Sequence, residues 1–192
     1  VKTAICLVRR GEIVERSDEK PLASRFSSLK RNPSMAEPLA DRVIRGSGQA
    51  AELYHRLVIL VAPAGAGKTA ALRGVHARTA APLVNVNLEL SRRMLDLTER
   101  QRALQLPRLL VEIVTAFAAD VVLLDNIEVL FDVSLQQDPL RLLQGLSRNR
   151  TVVAAWNGSV DNEHLVYGAP EHPEYKRYSV RDLLVVSPED GA

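Results

Sequence analysis

The sequence predicts an α/β protein, a three-layer sandwich around a mostly parallel five-stranded sheet. Three observations predict it. The apolar run Leu57-Val58-Ile59-Leu60-Val61 leads into Ala62-Pro63-Ala64-Gly65-Ala66-Gly67-Lys68-Thr69 and then into a helical pattern. A second apolar run, Val121-Val122-Leu123-Leu124, ends in Asp125. A third, at 151–156, follows after one more helical stretch. Buried apolar runs separated by helical segments are the pattern of βαβ units around a parallel sheet.

Composition sets the frame. The chain has 192 residues, 46% apolar and 25% charged, as expected of a soluble globular protein with one main core. The net charge of +2 is too near neutral to argue nucleic-acid binding from charge. Cys6 is the only cysteine, so no intrachain disulfide can form, and a cytoplasmic location is the simple expectation. No apolar run approaches the length of a membrane span, and Arg9, Arg10 and Glu12 interrupt the opening residues too early for a secretory signal.

Residues 1–36 read as a weakly ordered extension and 37–192 as the folded domain. Met35 is a candidate alternative start. Pro38 suits a first helical turn, and Leu39, Val43 and Ile44 continue the helical spacing. Gly46-Ser47-Gly48 should interrupt this helix, which resumes over 49–54. The strand at 57–61 is followed by a helix at 68–79, with Ala70, Ala71, Leu72 and Val75 facing inward. A second strand is expected at 82–87, with Asn87 at its end and Glu89 two residues on. Residues 91–120 read as helical, with a capping box at Thr98-Glu99-Arg100-Gln101 and a kink or new helix at Pro107. Leu109, Leu110, Ile113, Val114 and Phe117 supply its apolar stripe. Asp138-Pro139 opens a further helix, with Leu140, Leu142, Leu143 and Leu146 on its buried side. The strand at 151–156 ends in Asn157-Gly158. Residues 161–178 read as loop, and 179–186 as the last strand.

The chemistry concentrates in three places. The stretch 62–69 matches G-x-x-x-x-G-K-[ST], with Ala62 in place of the first glycine. Gly65 and Gly67 let successive N–H groups point at a phosphate, and the following helix adds its positive end. Residues Pro63, Ala64, Gly65, Ala66, Gly67, Lys68, Thr69 and Ala70 are therefore the expected nucleotide contacts. Lys68 would reach the β- and γ-phosphates of ATP, and Thr69 and Asp125 would hold Mg2+. Asn126 follows Asp125 where many ATPases of the additional-strand class carry a glutamate base. An amide does not accept a proton as a carboxylate does, so Glu128 or Glu89 would have to serve. Asn126 also suits a helix cap for 127–131. Asn157 stands where AAA+ proteins place a γ-phosphate sensor, although Asn-Gly also suits a turn. Arg177, with Arg181 behind it, is the candidate finger toward a neighbour's γ-phosphate. The expected catalytic set is Lys68, Asp125, Asn126, Glu128, Asn157 and Arg177. His164 and His172 match no metal-ligand spacing and read as surface residues.

Several stretches together resemble the BrxF family, small P-loop proteins of type-three BREX (bacteriophage exclusion) systems. They are 62–69, Asn87-Leu88-Glu89-Leu90-Ser91-Arg92-Arg93, and Leu123-Leu124-Asp125-Asn126-Ile127-Glu128-Val129-Leu130-Phe131. Leu142-Leu143-Gln144-Gly145-Leu146-Ser147-Arg148 and Ala155-Trp156-Asn157-Gly158 complete the likeness, which covers about 35–186. The resemblance implies a nucleotide-dependent component of a bacterial anti-phage complex. Its other members would include an adenine methyltransferase, a large ATPase, a phosphatase-like protein and a helicase.

The resulting expectation is a P-loop NTPase with an AAA+-like core and no helical lid. It would be an ATPase subunit in a homo-oligomer or a defence complex, with DNA contact open, directly or through partners. A non-hydrolysing nucleotide switch or scaffold is the alternative, and a small-molecule kinase a further one.

Overall fold

The computed structural model describes residues 37–188. The extension read at 1–36, with its candidate start at Met35, lies outside the described residues. Helix α1 (Leu39–Ala50) precedes strand β1 (Leu57–Ala62), followed by α2 (Lys68–Thr79) and β2 (Leu83–Asn85). Helices α3 (Val86–Met94) and α4 (Glu99–Thr115) lead to β3 (Val121–Asp125). Two short 3-10 turns, Glu128–Phe131 and Val133–Leu135, then precede α5 (Pro139–Leu146) and β4 (Thr151–Asn157). Strands β5 (Ser159–Asp161), β6 (His164–Tyr167), β7 (Lys176–Ser179) and β8 (Leu184–Val186) complete the described chain.

Five strands form one sheet in the order β2-β3-β4-β1-β8, and every pairing in it is parallel. Strand β1 is buried along its whole length because helices cover both faces. Its side chains alternate between two cores. Val58 and Leu60 pack with Val43, Leu72, Val75 and Val153 under α1 and α2. Leu57, Ile59 and Val61 pack with Leu90, Leu106, Leu110 and Leu143 under α3, α4 and α5. The expected α/β three-layer arrangement with a parallel five-stranded sheet is therefore present.

Several boundaries differ from the sequence reading, each for a local reason. Helix α1 runs unbroken through Gly46 and Gly48 and ends at Ala50, with Pro38 just before it rather than in its first turn. A Cβ on Gly46 would lie 3.0 Å from Leu184 Cδ2, so this glycine serves close packing on β8 and not a break. Strand β2 stops at Asn85, whose side chain accepts the Leu88 N–H and starts α3. Asn87 and Glu89 consequently lie in the first turn of α3, not at a strand tip. The stretch 91–120 is two helices, separated before the Thr98–Gln101 capping box, and Pro107 lies inside α4. Phe117 falls beyond α4 and is partly exposed. Ala70 faces solvent, while Ala71, Leu72 and Val75 are buried.

The largest departure is at 159–179, read mostly as loop. Strands β5, β6 and β7 form a second, antiparallel sheet. Asn162 and Glu163 have φ of 45° and 63°, the left-handed pair of a tight two-residue hairpin turn. The residues at 179–183 are thereby divided between β7 and a turn, and the final parallel strand begins only at Leu184.

Candidate functional site

The site lies at the carboxyl ends of β1, β3 and β4. After β1 the chain crosses to β2 on one side of the sheet; after β4 it passes β1 to reach β8 on the other. Such reversals open a crevice at the strand tips, where ligands of open α/β sheets bind. Ala62 and Asn157 are register partners at that point.

Between β1 and α2, residues 63–67 form an exposed loop. Gly65 and Gly67 take φ of 79° and 84°, a conformation that favours glycine. Gly67 precedes α2 and no side chain caps that helix, so its first-turn N–H groups open onto the loop. Lys68, the first residue of α2, is only 8% exposed. Its Nζ donates to Ala62 O at 2.7 Å, Pro63 O at 2.8 Å and Asn157 Oδ1 at 2.8 Å. All three ammonium protons are satisfied. Burial pushes the Lys68 pKa below its usual value, while the Glu128 and Asp125 carboxylates oppose that shift. Thr69 is half-buried in the same first turn.

Asp125 is buried at the tip of β3, and its Oδ1 accepts the Asn126 N–H at 3.1 Å. Asn126 does not cap the following turn, which has no side-chain cap. Instead it takes φ of 53°, and its carbonyl accepts the Asn87 N–H at 3.0 Å. Asparagine tolerates this left-handed geometry better than most residues, so Asn126 turns the chain out of β3 and ties it to α3. Glu128, half-buried on the next turn, acts electrostatically on Lys68 and on Tyr167.

Lys68 and Asn157 thus touch, and Asp125 and Glu128 bear on the lysine. Glu89 is engaged with Arg92 on the surface of α3 at 3.3 Å. Arg177 lies exposed on β7, with Nη2 3.2 Å from His164 Nδ1. Arg181 lines a different cavity with Tyr54, His55 and Gln144, at the opposite end of the sheet.

Sequence reasoning missed the contribution of the antiparallel sheet. Asn157-Gly158 is no free turn. Gly158 N donates to Ala62 O at 3.2 Å, which extends the parallel ladder before the chain enters β5. A Cβ on Gly158 would lie 1.9 Å from Val166 O, so only glycine lets β6 approach. A cavity of about 460 Å³ opens beside Pro63 and Asn157, and Tyr167, His172 and Glu174 line its far wall. Burial, with Glu174 and Glu128 nearby, raises the Tyr167 pKa to about 12. The hairpin turn between Asp161 and His164 is Asn162-Glu163, which is not among the dipeptides that mark a two-residue hairpin, so the sequence carried little signal for this sheet. Comparison with protein-family models and with curated proteins finds no match.

Proposed function

We propose that this chain is an ATP-binding P-loop protein that works as an ATPase component of a bacterial anti-phage complex of the BREX type. The observation that carries the nucleotide reading is the seating of Lys68. Its ammonium is held at the mouth of a glycine loop and beside an uncapped helix start, where a polyphosphate would find both charge and N–H donors. Thr69 and Asp125 offer the hard oxygen donors suited to Mg2+, and the ion would neutralise charge on the β- and γ-phosphates. In this reading Asn157 contacts the terminal phosphate and Glu128 orients the attacking water. Arg177 would serve a neighbouring subunit. The defence setting rests on the sequence resemblance alone.

A second reading, a nucleotide switch that does not hydrolyse, is favoured by Asn126. An amide follows Asp125, and its backbone geometry serves a turn rather than catalysis. ATP turnover across a range of protein concentrations separates the two. Hydrolysis that is lost in Lys68→Ala, and reduced about a hundredfold in Glu128→Gln, supports the ATPase. Tight binding without turnover supports the switch. Neither binding nor turnover contradicts both.

A further inference from the structure

We propose that the outer edge of β8 receives an extended segment of a partner protein as a further strand of the parallel sheet, and that this segment alternates apolar and acidic side chains. The inference stands apart from the nucleotide reading above.

Within the described residues β8 pairs with β1 alone. The main-chain N–H and C=O groups on its other side therefore have no strand opposite them. Edge strands are commonly guarded by proline or by charged side chains, and Leu184-Val185-Val186 has neither. Side chains at 183–186 alternate across the sheet. Leu183 and Val185 join the core under α3, α4 and α5, while Leu184 and Val186 join the core under α1 and α2.

A cavity opens beside this edge on each face of the sheet. The larger encloses about 640 Å³ and is bounded by Leu183, Val185 and Pro188, with Val160, Val180 and Pro63 opposite. Strand β5, which pairs with β6 alone among the described residues, turns Ser159 and Val160 to the same space. The smaller encloses about 300 Å³ between β8 and α1, where Arg45, Gly46 and Gln49 face Leu184–Val186. A third cavity, of about 660 Å³, shares Leu183 and Leu184 and carries the exposed Leu53 and Tyr54, so the groove continues past the start of the strand.

These walls state what would fill the groove. A strand added to β8 completes its main-chain ladder and drops successive side chains alternately into the two flanking cavities. Among the described residues that line the larger cavity none is charged, so the side chains entering it are apolar. The charged residues lining the smaller one, Arg42 and Arg45, are both cationic, which calls for carboxylates on that face. Arg45 is 59% exposed and pairs with Glu37 at 2.6 Å, a surface ion pair that one carboxylate can exchange for another at little cost. A nucleic-acid strand would set phosphates against the uncharged cavity and is a poor fit.

The test is binding of fluorescent synthetic peptides to the full chain, with hydrogen exchange read at the amides of β8. The probe is acetylated Ser-Val-Glu-Val-Glu-Val-Ser. Its controls are the same residues in shuffled order, a version with lysine for glutamate, and a version N-methylated along its backbone. The alternating acidic peptide should bind at least about tenfold more tightly than each control and slow exchange at the outward-facing amides of β8. Arg45→Glu, with its fold checked by circular dichroism, should weaken the acidic peptide several-fold and strengthen the lysine version. Absence of saturable binding, or equal binding of the shuffled or N-methylated peptide, would overturn the added strand. Outward-facing amides of β8 already protected in the dilute chain would overturn it in favour of cover by the chain's own residues. Protection that grows with protein concentration alone would overturn it in favour of a second copy.

Discussion

Lys68 is held by three protein oxygens. Its three acceptors are two loop carbonyls and the Asn157 side chain, so an anion entering the loop would exchange protein oxygens for its own. Gly158, the next residue after Asn157, is fixed by a neighbour rather than by a turn. Gly158→Ala should cost about 1–3 kcal/mol in urea unfolding, because the new methyl meets the Val166 carbonyl. A cost near zero would mean that β6 is free to move away. Tyr167 gives a pH signature. Its pKa rises from 10.0 to about 12, first through burial and then through Glu174 and Glu128. Between those values the folded chain keeps a proton that the unfolded chain has lost, so stability falls as pH rises. Tyr167→Phe should flatten part of that fall. Tyr178, raised by burial and by Asp138, should preserve the rest. An unchanged slope in Tyr167→Phe would show that its phenol is not linked to folding.

Elements bounded by their own chemistry were legible in the sequence. Strand β1 and helix α2 are delimited by Gly65 and Gly67, β3 by Asp125, and α5 by Asp138-Pro139. Asp138 accepts the Arg141 N–H at 3.0 Å, and its carboxylate also accepts the Tyr178 hydroxyl at 3.2 Å. Asp138→Ala should therefore cost about 1–3 kcal/mol, with Asp138→Asn recovering most of it; calorimetric unfolding compares them. Equal loss in both variants would show that the charge, not the cap, matters. Elements fixed by distant partners were not legible. Gly46 reads as a break until Leu184 is seen against it. Strands β5 to β7 have three or four residues each, too few to show an alternating pattern, and the intervening Pro170 and Pro173 suggest loop. Of the candidate site, Lys68, Asp125 and Asn157 were legible because each ends a strand or begins a helix. Tyr167 and Glu174 were not, because only the antiparallel sheet brings them to the crevice.

At the scale of the molecule, the antiparallel sheet is an extension of β4 anchored by aromatic packing. Phe131 stacks on Tyr167 with centroids 3.5 Å apart, and Trp156 meets Phe131, Tyr167 and Tyr178 edge-on. Trp156 Nε1 donates to Val166 O at 3.1 Å, so the buried indole is satisfied by the sheet that it holds. The same β4 carries Asn157, which accepts from Lys68, at its tip, and Gly158 then leads the chain straight into the added sheet. No helix among the described residues is long and apolar enough to cross a membrane. Lys68 and the loop around it are proposed to bind the phosphates of a nucleotide. Equilibrium binding of magnesium–ATP to the native chain and to Lys68→Ala, with circular dichroism confirming the same fold, tests it most directly. Binding is expected to be measurable and to weaken at least about tenfold in the variant. Equal affinity in the two proteins would contradict it.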